Sequence, residues 1–528
     1  MKTKESEFEI VSPESVGITS ASVLNLLDEL EHRKINLHSL MILRHGRSAV
    51  NLWWKPYSQD IPHQLYSFSK SIVSAAAGLA VDEGLLDTDE YIASFFPRRI
   101  KQDADERIFS VTVEHLLTMT SGAVAQNETG TGGQTDWVEW FLNTPLNYEP
   151  GERFIYNSLN TYMLAAILRQ VTGEGLVDYL MPRLFEPLGI ERPVWDKCPM
   201  GIECGGWGLY LRTEDMAKFC QLCLNDGVWR GRRILPEGWA AKAGESRVTG
   251  PADSKLNDSP HRTSGYGRQF WRNGDGTSWR ADGMFGQYGL IIPEKDMVII
   301  TTGGHARQME VLDALYDAFM PCIDAIPEGS EAGEDYAELL ERGNELSLQR
   351  RSGALPFADR NMEAAYDFPM NRRSIIPLAI KYLHRTATLG VRRVGFAIDG
   401  EDGMLAWTED GRTQTIPFRT DGSFCQCRLN FGSHCYPAVT SAAWLAEDKL
   451  EIDVRYICTA HMQKLLFTFE DDEIVCTFDE DPSLEDMLCM LFELSPQIRP
   501  MAERLARLVN RIMPSVRGRR AAELLQKQ

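Results

Sequence analysis

Positive charge is scarce in this sequence: 55 Lys and Arg stand against 75 Asp and Glu, a formal net charge of −20. A field of that sign argues against a general nucleic-acid or polyanion binder. No stretch approaches the ~20 apolar residues that a membrane-spanning helix requires, so no integral membrane association is expected. The N-terminus, MKTKESEFEIVSPESVGI, is polar and lacks the apolar core of a secretory signal. Eleven cysteines, odd in number and unevenly spread, do not read as a disulfide framework in a chain of 528 residues. Internal repeats, low-complexity tracts and paired ligand clusters at zinc spacing are all missing, so no metal or organic cofactor is implied. These absences leave a soluble, reduced, cytoplasmic protein. With 43% hydrophobic residues it can bury the cores of two domains.

Residues 1–325 carry the glycine punctuation, tryptophans and helical periodicities of a mixed domain. His38–Trp54 reads as two apolar strands about the turn Arg44-His45-Gly46-Arg47. Over Ser67–Leu86 a helical run presents Phe68, Ile72, Ala75, Ala76, Leu79 and Ala80 on its apolar face. Helix and loop signals alternate to about Val248, and strands are predicted at Tyr266–Trp271, Gly286–Ile292 and Met297–Thr302. That order implies an α+β domain whose one sheet is closed by distant chain segments. Residues 326–386 read as a linker with a charged helical segment over Glu328–Arg351. Residues 387–480 read as a small antiparallel β domain, barrel or sandwich, with turns at Asp399-Gly400, Asp402-Gly403, Asp410-Gly411 and Asp421-Gly422. Residues 481–528 read as a helical tail, roughly Ser483–Leu525, rich in arginine from Arg499 to Arg520. Such a basic helix could touch an anionic membrane or a partner, but packing on its own acidic body is the simpler reading.

Chemistry points first to Tyr66-Ser67-Phe68-Ser69-Lys70. A serine hydroxyl is a poor nucleophile unless a base lies within hydrogen-bond reach. Residues three apart share a helix face, so Lys70 can present its amine to Ser67 if Ser67 starts the helix. The helix N-terminus also leaves a backbone N–H free to serve an oxyanion hole. Alone, Ser-x-x-Lys is a weak signal, more often an N-cap serine with a surface lysine.

Its setting sharpens it. The segment LYSFSKSIVSAAAGLAVDEGLLDTDE resembles the nucleophile helix of the serine β-lactamase and penicillin-binding protein superfamily, notably its class C-like branch. Three blocks similar to that superfamily follow in order at Val111–Gly122, Pro150–Glu174 and Gly205–Trp239, and a fourth at Gly265–Gly303 looks like the closing strands. The resemblance spans about residues 12–325 and implies the β-lactamase/transpeptidase-like fold, with helices flanking an antiparallel sheet. It assigns Ser67 as the acylated serine, Lys70 as its partner, and Tyr156 as the phenol that hands the proton to the leaving group. Here the family's Tyr-x-Asn reads Tyr156-Asn157-Ser158, so Ser158 stands in the substrate-binding asparagine's place with fewer donors and a shorter reach. Where members carry Lys-Thr-Gly or His-x-Gly, this chain has Ala281-Asp282-Gly283. The glycine keeps room for substrate, and the next amide, Met284, pairs with that of Ser67 as the oxyanion hole. Asp282 would repel a carboxylate and welcome an amine, unless it faces solvent or pairs with Arg268, Arg272 or Arg280.

The function implied is a serine hydrolase working through an acyl-enzyme on a small-molecule ester or amide, an esterase or small amide or peptide hydrolase rather than a true β-lactamase. The alternative is a non-catalytic ligand-binding or sensing protein that keeps the fold. His305 follows a strand end and is a weaker candidate for the site. Cys220-x-x-Cys223 and Cys425-x-Cys427 read as packed thiols, and Trp137, Trp140, Trp207 and Trp271 as core or the wall of an acyl pocket. The β domain resembles accessory domains of this superfamily in outline; whether it caps the site or assists self-association stays open.

Overall fold

The computed structural model describes residues 6–124, 134–248, 259–348, 361–386, 388–432, 434–483, 485–486 and 515–521. The chain forms two units, one from the residues up to Trp53 with Pro62–Leu346, the other from Trp54–Ile61 with the described residues from Ser347 onward.

In the first unit, α1 (Ser20–His32) is capped by Thr19, whose hydroxyl accepts the Ser22 N–H. Strands β1 (Leu37–Arg44) and β2 (Arg47–Trp53) form the hairpin expected, with His45 and Gly46 both at positive φ (52° and 68°), as a two-residue turn requires. Two helices follow, α2 (Ser69–Asp82) and α3 (Ser158–Thr172), then α4 (Thr213–Leu224). The last strands are β3 (Trp271–Arg272), β4 (Trp279–Gly283), β5 (Gln287–Ile292) and β6 (Met297–Gly303). They complete a six-stranded sheet in the order β2-β1-β6-β5-β4-β3. Its centre pairs β1 with β6 antiparallel, Ile42 opposite Ile299, so chain segments far apart in sequence close one sheet. Every residue of β1 and β6 is buried, and each large apolar side chain there contributes roughly 1.5–3 kcal/mol. Helix α4 packs across β5 and β6, with Cys220 and Cys223 in the core. Burial, which places both thiols in the packed core, also raises them well above the ordinary cysteine range. The strand predicted at Tyr266–Trp271 is instead a pair of isolated bridges. Gly265 (φ 116°) and Gln269 (φ 68°) turn the backbone out of the extended region there.

The second unit is a single ten-stranded antiparallel sheet. In chain order its elements are β7 (Asn361–Asp367), α5 (Leu378–Leu383), β8 (Val391–Asp399), β9 (Asp402–Glu409), β10 (Arg412–Arg419) and β11 (Cys425–Phe431), followed by β12 (His434–Ala446), β13 (Lys449–Arg455), β14 (Met462–Phe469), β15 (Glu473–Asp481) and β16 (Ser515–Arg520). The order is β10-β9-β8-β7-β16-β15-β14-β13-β12-β11. The edge strands meet where the Asn430 N–H donates to Gln414 Oε1 (2.6 Å), so the sheet curls to a near-barrel. Trp407, Trp444, Phe396, Phe467 and Tyr456 fill the interior, and Ile375, Ile376 and Ile380 plug it from the segment around α5. Trp54–Ile61 belongs to this unit, with the Tyr57 hydroxyl on the Thr459 carbonyl (3.0 Å).

Two sequence expectations change here. The β unit begins at β7, inside the stretch read as linker, although the helix expected there is present at Glu334–Glu345. Within the stretch read as a helical tail, Ser515–Arg520 is a strand, where Val516 and its neighbours complete the sheet between β7 and β15, and residues 487–514 and 522–528 lie outside the described residues. Arg517 pairs with Glu470 (2.6 Å) and Glu473 (2.7 Å), so its charge is spent on the chain's own acidic surface. Arg499, Arg504, Arg507, Arg511 and Lys527 lie outside the described residues. Among the described residues no helix is long and apolar enough to cross a membrane.

Burial raises the Glu480 carboxyl to about 7; the Leu378 N–H, Lys381 and Arg373 oppose the shift and Asp479 adds to it. The folded state therefore holds a proton that the unfolded state, near 4.5, has released. Stability from this group is full below 4.5 and lost as pH rises through 7. Calorimetry at pH 5, 6, 7 and 8 should show the β unit's melting temperature falling with pH, and Glu480→Gln should flatten that slope. An unchanged slope would contradict this assignment.

Candidate active site

Ser67 lies in a single 3₁₀ turn, Tyr66–Phe68, that runs directly into α2. Tyr66 before it has φ 46°, a left-handed conformation that costs a tyrosine roughly 1–2 kcal/mol and turns the half-buried serine outward. Lys70, one helical turn on, is 1% exposed. Among its contacts, Nζ donates hydrogen bonds to Ser67 Oγ (2.9 Å), Ser158 Oγ (3.0 Å) and the Gly206 carbonyl (2.7 Å). Ser158 is the first residue of α3, behind the N-cap Asn157, whose side chain accepts the Leu159 N–H (3.0 Å). The short serine thus reaches Lys70, which makes it a partner of the amine. Gly206 comes this close because it has no side chain: a Cβ there would sit 2.7 Å from the Ser158 carbonyl oxygen.

Tyr156 is buried with its ring 4.9 Å from Lys70 Nζ, centroid to nitrogen. Trp271 stacks on that ring (5.6 Å, 28°) and Tyr266 meets it edge-on (6.1 Å, 89°). Of the four tryptophans singled out, Trp271 is therefore the one against the candidate proton shuttle, whereas Trp137 and Trp207 pack on each other (5.6 Å).

Gly283 ends β4 against the turn that carries Ser67. A Cβ there would lie 2.2 Å from the Leu65 carbonyl oxygen and 3.2 Å from the Phe68 nitrogen. This contact packs the end of β4, one residue before Met284, against that turn. The Phe68 N–H bonds the Leu65 carbonyl (3.1 Å) and the Phe285 N–H bonds Gln308 Oε1 (3.0 Å). Between them the amides of Ser67 and Met284 have no acceptor among the described residues, the requirement for an oxyanion hole.

Asp282 does not stand as a free anion. Arg280, two residues back and on the same strand face, is fully buried and puts its Nε 2.8 Å from Asp282 Oδ2. The other guanidinium nitrogens bond the Arg272 and His261 carbonyls and Asn273 Oδ1, between 2.9 and 3.0 Å. The charge expected to repel a carboxylate is therefore compensated within the strand. His305 binds Glu310 (3.0 Å) and donates its backbone N–H to the Phe285 carbonyl (3.1 Å), a supporting role. Residue types did not single out the Gly206 carbonyl, Gln287 or Gln308; the signal for Gln287 was its place at the start of the strand after Met284. Among the described residues no cluster of three His, Cys, Asp or Glu is arranged to hold a metal ion.

This combination of helix-borne Ser-x-x-Lys, buried tyrosine and strand-edge amide defines the serine acyl-transferring class. The chain belongs to the beta-lactamase family, whose model, Beta-lactamase, matches residues 26–313. It is 26% identical over 300 residues to the 6-aminohexanoate-dimer hydrolase of Paenarthrobacter ureafaciens, covering 52% of this chain and 74% of that protein. It is 27% identical over 312 residues to Penicillin-binding protein 4 of Amycolatopsis lactamdurans, covering 51% and 81%. Among solved structures, the octameric penicillin-binding protein homologue from Pyrococcus abyssi aligns with 86% of this chain and 97% of its own at 18% identity and a TM-score of 0.46. The chain is a serine hydrolase of this family.

Two outcomes follow from the geometry. Gly283→Ala should cut ester turnover at least about 100-fold, the scale of losing an oxyanion donor, and should also lower the melting temperature, because the added Cβ would press on the Leu65 carbonyl oxygen at 2.2 Å. Arg280→Met alone should destabilise by about 3–5 kcal/mol in denaturant titration, because it strands the buried Asp282 carboxylate, and adding Asp282→Asn should recover at least half. Equal stability of the single and double variants would show that the pair is not coupled.

Proposed function

We propose that this protein hydrolyses small-molecule esters or amides through an acyl-enzyme on Ser67. The observation that carries the reading is the hydrogen-bond set of Lys70. Its three partners suit both protonation states of the amine. As the ammonium it donates to all three. As the neutral amine it donates to Ser158 and Gly206 and accepts from the Ser67 hydroxyl, which is the geometry of a general base. Ser67 then attacks the carbonyl carbon, its proton passes to Lys70, and the Ser67 and Met284 amides take the oxyanion. Tyr156 gives its phenolic proton to the departing alcohol or amine and is reprotonated by the Lys70 ammonium, and water, activated by the same groups, releases the acid.

The strand beside the site supports substrates without a carboxylate. Ala281 has no charge to offer, and Arg280 is spent on Asp282 and three further acceptors. A neutral ester or amide is therefore favoured over a β-lactam. A cytoplasmic location is supported by the ten described cysteines, all of which are free thiols. A purely ligand-binding protein would have no chemical use for an amine aimed at a hydroxyl beside two open amides.

Hydrolysis of p-nitrophenyl esters, p-nitroanilides and a cephalosporin tests the reading. Ser67→Ala should lower ester turnover by about 10⁴-fold or more, and Lys70→Ala by about 10²–10⁴-fold. Wild-type protein should prefer the ester to the cephalosporin. Ester turnover that survives Ser67→Ala would overturn the proposal, and rapid cephalosporin hydrolysis would overturn the substrate preference.

A further inference from the structure

We propose that Gln287 and Gln308 are positioning residues that together aim the Met284 amide at the oxyanion. The proposal rests on the acyl-enzyme reading above and extends it to groups that touch neither Ser67 nor substrate.

Gln287 opens β5 and is fully buried. Its Nε2 donates to the Met284 carbonyl (2.8 Å) and to the Gly303 carbonyl (2.8 Å), and its Oε1 accepts the Gly303 N–H (3.0 Å). Gly303 ends β6, a central strand, so the side chain ties the loop after β4 to the rigid middle of the sheet. Gln308 approaches from the other side, and its Oε1 accepts the Phe285 N–H (3.0 Å). The Met284 carbonyl and the Phe285 N–H are the two ends of one peptide unit. That unit is therefore gripped at both ends by glutamine side chains, and the next peptide bond back carries the Met284 N–H.

The grip has work to oppose. Phe285 has φ 66°, a left-handed conformation that costs a phenylalanine roughly 1–2 kcal/mol. Its ring meets that of Tyr66 edge-on (5.3 Å, 75°), and Tyr66, at φ 46°, precedes Ser67. The residues flanking the two open amides are both left-handed and lie against each other. Without the two glutamines the Met284–Phe285 peptide is free to rotate towards ordinary backbone angles, carrying the Met284 N–H out of line.

The variants separate this from general packing. Gln287→Glu keeps the shape but sets an oxygen against two carbonyls. Gln308→Leu removes the acceptor for the Phe285 N–H, whereas Gln308→Glu keeps it. The readouts are the acylation rate with a p-nitrophenyl ester, its KM, the inhibition constant of phenylboronic acid as a tetrahedral anion on Ser67, and the melting temperature. Gln287→Glu and Gln308→Leu should slow acylation and weaken boronate binding by a common factor of about 10–100, with KM within about threefold; Gln308→Glu should stay within about threefold of wild type. A folded Gln287→Glu with unchanged acylation and boronate affinity, or Gln308→Glu as impaired as Gln308→Leu, overturns the proposal. If Gln287→Glu does not fold, the Gln308 pair decides alone. Wild-type protein that is neither acylated nor bound by boronate overturns the acyl-enzyme reading instead, and the grip falls with it.

Discussion

The site depends on one buried nitrogen. Lys70 Nζ joins three parts of the chain that are remote in sequence: the nucleophile turn, the start of α3 at Ser158 and the loop at Gly206. A lysine 1% exposed has to be satisfied by good acceptors, and those acceptors fix its aim. Helix α2 is accordingly buried along nearly its whole length and carries the amine into the protein, while Ser67, in the turn before it, stays half-buried.

The second constraint is steric. Two contacts at the site hold only without a Cβ, Gly206 against the Ser158 carbonyl and Gly283 against the Leu65 carbonyl. The first lies beside the carbonyl that Lys70 bonds; the second packs the end of β4 against the turn that carries Ser67. Around them the protein accepts left-handed backbone at Tyr66 and Phe285 and buries a charged pair, Arg280 and Asp282, under the strand that faces the nucleophile. Strain and buried charge at a catalytic edge are sustained by the surrounding sheet, whose central strands β1 and β6 are buried throughout.

Much of this was legible where the physics is local. Ser67 and Lys70 are one helical turn apart, so spacing alone put them together, and the order of blocks similar to the family added Tyr156 and Met284. The α+β unit and the antiparallel β unit were both readable from periodicity and turns. What escaped reading depends on distant partners. Nothing in Gly205-Gly206 announces a carbonyl aimed at a lysine 136 residues earlier. Asp282 illustrates the limit at shorter range: its pairing with Arg280 was one of several choices, and only the buried strand face selects it. Ser515–Arg520 carries the arginines of a basic helix, yet the gap between β7 and β15 makes it a strand. Trp54–Ile61 joins a unit whose other residues begin only at Ser347, which no local pattern encodes.

The central claim is that Ser67 carries the acyl group. Rapid-quench mass spectrometry of the wild-type protein during turnover of a p-nitrophenyl ester tests it most directly. One acyl mass should appear on the peptide containing Ser67, and Lys70→Ala should slow its formation. A protein that turns over ester with no adduct, or with the adduct on another residue, would contradict the account.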